Sequence, residues 1–153
     1  MNFHIRPATL DDLDLLMEFR DLSVHERHPD ADMANAVTTE SRGWIADHMR
    51  DGTFLAYFAV TEAGEIAATA GLWLVDWLPG MSSTTRMRGY IFNVYTRMPF
   101  RRMGLATLLT EHCLAVCRER GVQVVALNAS ELGRAVYEKL GFESSGTEMR
   151  LSL

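Results

Sequence analysis

The run Arg101-Arg102-Met103-Gly104-Leu105-Ala106 has the residue types and the order of an anion trap. A β-branched and aromatic stretch from Tyr90 to Thr96 reads as a strand ahead of it. From Gly104 onward, Leu105, Leu108, Leu109, His112 and Val116 recur at helical spacing. The first turn of a helix carries backbone N–H groups without intrahelical partners, and the macrodipole adds partial positive charge, so a phosphate can dock on the main chain. Gly104 lets the phosphate approach closely, Ala106 keeps the turn open, and Arg101 and Arg102 place cations beside it. Taken alone, the same turn is equally an ordinary strand-to-helix connection with a solvated arginine pair.

These six residues resemble the Arg/Gln-x-x-Gly-x-Gly/Ala pyrophosphate loop of the GNAT family of N-acetyltransferases. A second match follows: Asn128 to Phe142, through Ser130, Val136-Tyr137-Glu138-Lys139 and Leu140-Gly141-Phe142, is similar to that family's later motif, a strand end, a short helix bearing a Tyr and an exit through Leu-Gly-Phe. The two motifs stand in order, one helix and one strand apart, and the resemblance covers residues 88–142. It implies an α/β fold with a mixed, mostly antiparallel central sheet and helices on both faces. The strands near 90–96 and 122–128 would start as neighbours and splay apart. The resemblance also implies acetyl-CoA as cosubstrate, with no metal. The main chain of Val94, Tyr95 and Thr96 would pair with the pantetheine amides, Arg101, Arg102, Met103, Gly104, Leu105 and Ala106 would hold the pyrophosphate, and Asn128 and Ser130 would lie beside the thiol end.

In such a reaction a primary amine attacks the thioester directly, and the leaving sulfur needs a proton. The resemblance gives that role to Tyr137; the residue type alone equally fits a packed tyrosine with a hydrogen-bonded hydroxyl. Three positions depart from the family pattern. Met98 stands where the family often has Pro before the loop, which costs only turn rigidity. Asn93 stands where many members place a Glu that deprotonates the amine, and Asn cannot be a base; Ser130 replaces a common Asn but still caps a helix. Deprotonation then runs either through ordered water and backbone carbonyls or through a carboxylate or His from elsewhere, with His25, Glu26, His28 and Asp76 as unranked base candidates. A module of the same fold that binds acyl-CoA without catalysis is the alternative, although it would have no need of Tyr137. A nucleotide-binding protein fits poorly, since neither Gly-x-x-x-x-Gly-Lys-Ser/Thr nor Gly-x-Gly-x-x-Gly after the first strand occurs.

Other elements must position these groups. Phe3 to Arg6 alternates like a strand and stops at Pro7. A helix starts at Thr9 with Asp11 and Asp12 in its first turn and Leu10, Leu13, Leu16, Met17 and Phe19 to Leu22 on its apolar side. Residues 23–36 read as a polar loop before a second helix over about Thr38 to Met49. Phe54 to Val60 and Glu65 to Trp77 read as strands joined at Glu62-Ala63-Gly64, Pro79 to Thr85 as a loop, and Val122 to Leu127 as a buried strand. Ser130 caps a helix with Leu132, Ala135, Val136 and Leu140 on one side, Gly141 closes it, and Thr147 to Leu151 reads as a final strand. The acceptor pocket is expected between the first two helices, the 78–87 loop and the outer part of the 90–96 strand. Trp73, Trp77, Tyr90 and Phe92 are candidate lining, though aromatic residues in strands are as readily core. Arg86 and Arg88 suit an acidic acceptor and the acidic 26–32 stretch an amine, so the small amine or peptide acceptor is left open.

At 153 residues with 48% hydrophobic content, the chain has the size of one domain, 1–153, with its own core. A net charge of -5 opposes non-specific nucleic-acid binding, which needs a basic surface. There is no window of membrane-span length and no charged segment followed by an apolar run at the start, so the expectation is a soluble, cytoplasmic protein, with a homodimer allowed. Cys113 and Cys117, four apart on one predicted helix, read as two buried thiols in a reducing compartment, and His25 and His28 have no further ligands at metal-site spacing.

Overall fold

A computed structural model describes residues 1–30 and 34–153, with the backbone alone over 34–37. Its elements are β1 (Phe3–Pro7), α1 (Leu13–Arg27), α2 (Ala34–Arg50), β2 (Phe54–Thr61), β3 (Ile66–Asp76), β4 (Met87–Thr96), α3 (Leu105–Glu119), β5 (Val125–Leu127) and α4 (Glu131–Lys139). The sheet order is β1-β2-β3-β4-β5. Each of the first four strands is antiparallel to the next, and β5 joins β4 in parallel after the crossover through α3 that a parallel pair requires.

Alternation in β2 sorts the two faces of the sheet. Phe54, Ala56, Phe58 and Val60 pack with Leu16, Met17, Phe19 and Ile45 of α1 and α2. Tyr57 and Ala59 point the other way, to Leu105, Leu109, Cys113 and Cys117 of α3. Strand residues two apart share a face, so one strand anchors helices on both sides. Phe58 is fully buried, which stabilises the fold by about 2–3 kcal/mol relative to an exposed ring. In β3, buried Ala67, Ala68 and Ala70 give the helices room to come close. Gly71 carries this further, because a Cβ there would lie 2.7 Å from the Phe54 ring.

The first helix begins in a 3-10 turn, Leu10–Asp12, before α1. Thr9 donates its backbone N–H to Asp12 Oδ2 at 2.8 Å, and Arg6 of β1 grips both Asp12 oxygens at 2.9 Å. The Arg6 hydrogen bonds, opposed by burial, hold the Asp12 carboxyl below its usual range. Further along, Gly121 and Gly141 follow α3 and α4, and Ser130 Oγ accepts the Gly133 N–H at 3.1 Å as the expected cap of α4.

Three expectations are corrected. α1 continues to Arg27 through the first part of the expected 23–36 loop, and α2 begins at Ala34 rather than Thr38; residues 31–33, within that loop and the acidic 26–32 stretch, lie outside the described residues. The strand expected over 122–128 is confined to Val125–Leu127. Thr147 to Leu151 forms no strand, and Met149 and Leu151 are exposed. Alternation describes a strand's faces but does not supply the hydrogen-bonded neighbour that makes one.

Gly71→Ala is expected to destabilise the protein by about 1–3 kcal/mol, since a methyl group would meet the Phe54 ring in a packed core. Urea unfolding should show a lower midpoint with an unchanged slope. A midpoint equal to that of the parent would mean that the ring moves aside freely.

Candidate active site

β4 is the strand around which the site is organised. Gly89, Tyr90 and Ile91 pair with Val125, Ala126 and Leu127, and there the parallel pairing stops. β4 runs on to Thr96 while the other chain leaves toward α4, so the two splay as expected. On its other side β4 stays paired to β3 through a bulge. Gly71 faces Phe92 and Thr69 faces Tyr95, which leaves Ala70 opposite both Asn93 and Val94. Asn93 takes a left-handed backbone there, φ 53°, a conformation Asn tolerates better than most side chains.

The splay opens a cleft of about 380 Å³ between β4, the start of α4 and α1. Val94, Asn128, Ser130 and Tyr137 line it, as do Arg20, Ser23 and Arg27 of α1. Tyr137 is 9% exposed and packs edge to face against Phe142, with ring centres 5.9 Å apart. Burial, and secondarily the neighbouring Cys113, pushes the phenol's pKa up, so the group is held protonated. Among the described residues, no protein group hydrogen-bonds to the Tyr137 hydroxyl, and no carboxylate or imidazole lines the cleft.

Of the remaining expected residues, Tyr95 and Thr96 end β4 and Arg101 to Ala106 form the turn and helix start that follow; none of them lines the cleft. After the 3-10 turn Met98–Phe100, Arg102 has φ 64° and Gly104 φ 77°. The first α3 ladder bond runs from Leu108 N–H to the Gly104 carbonyl at 2.9 Å, so the N–H groups of Leu105, Ala106 and Thr107 precede the ladder. The space where a Gly104 Cβ would stand is open. Arg101 does not point freely outward. It donates from Nε to the Thr96 carbonyl at 3.1 Å, pairs with Glu26 at 2.5 Å and lies 5.5 Å from the centre of the Tyr95 ring. The Arg101 hydrogen bond holds the Glu26 carboxyl below its usual range, and burial followed by the Glu26 charge raises the Tyr95 phenol. Arg102 is exposed and makes no ion pair among the described residues.

A second cavity of about 550 Å³ lies between α1, α2 and β4, lined by Ser41, Trp44 and His48 and sharing Arg20, Phe92 and Asn93 with the cleft. His48 stacks on Trp44 at 3.9 Å, its Nδ1 lying 2.8 Å from the Trp44 carbonyl. Of the four rings expected here, only Phe92 lines this cavity. Tyr90 lines the cleft, Trp73 packs against Trp44, and Trp77 is half exposed under Arg88. None of the four base candidates lines either cavity. Glu26 is paired with Arg101, Asp76 is gripped by Arg86, and His25 and His28 are exposed at the end of α1. Sequence reading missed Arg20, Arg27, Ser41, Trp44 and His48. Arg20 and Arg27 are seven apart and share a helix face, a signal lost when the helix was ended at Leu22.

The model of the Acetyltransferase (GNAT) family matches residues 13–142, which span α1 to Phe142 and hence both cavities and the turn. The chain belongs to this family. As a GNAT acetyltransferase it is similar to a glucosamine 6-phosphate N-acetyltransferase of Trypanosoma brucei brucei, 32% identical over 110 residues, 71% of this chain and 73% of the relative. Its fold matches that of a Ralstonia eutropha N-acetyltransferase of the same family, with TM-score 0.92, 29% identity and 99% of each chain covered. A predicted acetyltransferase of Clostridium acetobutylicum, solved with acetyl-CoA, matches with TM-score 0.90 and 26% identity over 99% of this chain and 96% of that one. GNAT acetyltransferases use acetyl-CoA. No helix among the described residues is long and apolar enough to cross a membrane, and no cluster of three or more His, Cys, Asp or Glu among them could hold a metal ion.

If phosphates dock on the turn before α3, coenzyme A should raise the melting temperature of the parent GNAT domain by mass action and leave that of Gly104→Glu unchanged. The substitution fills open space with bulk and negative charge, and its left-handed backbone costs roughly 1–2 kcal/mol, which a folded domain tolerates. An equal shift in both proteins would place the phosphates elsewhere.

Proposed function

We propose that residues 1–153 form one N-acetyltransferase domain that moves an acetyl group from acetyl-CoA to a primary amine by direct attack, with Tyr137 as general acid. The observation that carries this reading is the Tyr137 phenol, held protonated by burial, facing the splay cleft and without a protein hydrogen-bond partner among the described residues. The residue lines the open cleft and its hydroxyl is not engaged by a protein group among the described residues, so it is available to a bound thioester. This favours the catalytic reading over a module that merely binds acyl-CoA.

Acetyl-CoA supplies the activated acetyl thioester. The residues that fit it are the unpaired β4 edge at Val94, Tyr95 and Thr96, which offers amide partners to an extended chain, and the N–H groups of Leu105, Ala106 and Thr107 with Arg102 alongside, which suit a pyrophosphate. Arg101 serves this turn indirectly, by tying it to α1 through Glu26. Asn128 and Ser130 form the wall opposite β4. As the amine nitrogen bonds to the carbonyl carbon and the carbon–sulfur bond breaks, the Tyr137 hydroxyl gives its proton to sulfur. The amine's own proton leaves to water, because Asn93 and the rest of the described cleft wall offer no base, and the Tyr137 phenolate then regains a proton from solvent. The acceptor enters through the cavity beside Trp44 and His48, which meets the cleft at Arg20, Phe92 and Asn93.

Tyr137→Phe removes only the hydroxyl. Thiol release with acetyl-CoA and an amine panel that includes glucosamine 6-phosphate should fall by roughly 10²–10⁴-fold while coenzyme A affinity persists. An unchanged rate, with stability lower by about 1 kcal/mol, would make Tyr137 a core residue instead.

The direction of the Tyr137 shift fixes the pH dependence. A raised phenol stays protonated beyond its ordinary value of about 10, so kcat/KM should show no falling limb below roughly pH 10. The rising limb should follow the acceptor's own amine and move when an acceptor of different basicity is used. A rising limb fixed for all acceptors would reveal a base on the protein.

A further inference from the structure

α1 docks on β4 and the turn after it through arginines, and one of them forms no ion pair among the described residues. Arg97 meets Glu18 at 2.7 Å and Arg101 meets Glu26 at 2.5 Å. Among the described residues Arg20, partly buried, hydrogen-bonds only to neutral groups: its Nη1 donates to Asn93 Oδ1 at 3.0 Å and its Nε to Ser41 Oγ at 3.1 Å. A carboxylate at position 93 would have completed an ion pair, and Asn93 supplies an amide oxygen instead. Arg27, two turns further along α1, lines the same cleft and adds positive charge. Of the acidic residues lining the neighbouring cavity, Asp47 is paired with Arg50, and Glu40 is exposed with no ion pair to Arg20 among the described residues. Burial, and secondarily the charge of Arg27, depresses the Arg20 guanidinium, with the Asp21 charge opposing them.

Arg20 lines both cavities, at the place where they join. Resting on the N-acetyltransferase reading above, we infer that the acceptor carries an anionic group close to its amine, a carboxylate or a phosphate, and that Arg20 receives it. Two of its hydrogen bonds are spent on Asn93 and Ser41, which fix the guanidinium plane, and its remaining N–H donors, which meet no acceptor among the described residues, suit an oxyanion. An anion held there sets the neighbouring amine beside Asn93 and Val94 at the bulge. The rest of the acceptor then lies along Trp44, His48 and Phe92, which suits an apolar or aromatic body. The neutral residue at 93 thus removes a base and at the same time releases a cation for substrate recognition.

The test compares matched acceptors with acetyl-CoA: L-amino acids against their amides for the carboxylate, and phosphoethanolamine against ethanolamine for the phosphate. At least one anionic member should exceed its neutral partner in kcat/KM by about ten-fold or more, the worth of one charge-assisted contact. Arg20→Gln should erase the preference through acceptor KM, Arg20→Lys should retain part of it, and Asn93→Asp should erase it by pairing with Arg20 internally. The KM for acetyl-CoA should stay within about two-fold in all three. Turnover of neutral amines without any preference for the anionic partner overturns this inference alone. So does a preference that survives Arg20→Gln, or an effect confined to the acetyl-CoA KM, which would assign Arg20 to the cosubstrate's phosphates. Succinyl-CoA outperforming acetyl-CoA on neutral amines would place the anion on the acyl group and also overturn it. No turnover on any amine overturns the N-acetyltransferase reading and this inference with it.

Discussion

Beyond Ile91, β4 has a strand neighbour on one side only. β3 continues beside it as far as Thr96, whereas the chain after Leu127 turns away into the Ser130 cap of α4. Backbone amides buried without partners are costly, so an unpaired strand edge inside a fold must face water, side chains or a ligand. The cleft exists because this edge is left open, and α4 presents Tyr137 to it because the departing chain must fold back over α3. The bulge at Asn93 and Val94 adds a bend at the same place, and small residues in β3 allow helices to cover both faces without closing the gap.

Charge then determines how the helical cover sits on this opening. Glu18 and Glu26 of α1, two turns apart, reach Arg97 and Arg101 on the segment that leaves β4, so the helix is tied to the turn before α3 at two points. These pairs are partly exposed, and their individual contributions to stability are small. Their larger effect is registry, because they fix which face of α1 meets β4 and so bring Arg20 against Asn93. A helix rotated by one residue would present Asp21 to the bulge instead of a cation.

Much of the candidate site's local geometry was legible in the chain. Gly104, flanked by basic and small residues, marked a helix start with open space above it, and the backbone there is left-handed with nothing near a Cβ. Ser130 and Tyr137 stand where the spacing from Asn128 places them, seven residues apart on the cap and inner face of one short helix. Less was legible in α1 and α2. Polar residues and Pro29 masked how far α1 extends, so Arg27 was read as loop. His48 looked like an ordinary helix residue until its stack on Trp44 brought it into a cavity.

The sequence by itself determined what is local: periodicities of two and of helical spacing, caps, glycines that permit particular backbone turns, and motifs whose residues lie within one turn of each other. It also determined the family, since both motifs are continuous in the chain. Tertiary structure alone decided which charges are neutralised, because a salt bridge such as Glu26 with Arg101 joins residues 75 positions apart through a helix docking that no local pattern encodes. It decided in the same way that Thr147 to Leu151, alternating as a strand should, has no strand to join, and that Arg20 meets an amide where a carboxylate would have silenced it. Pairing depends on what lies opposite, and what lies opposite is set by the whole fold.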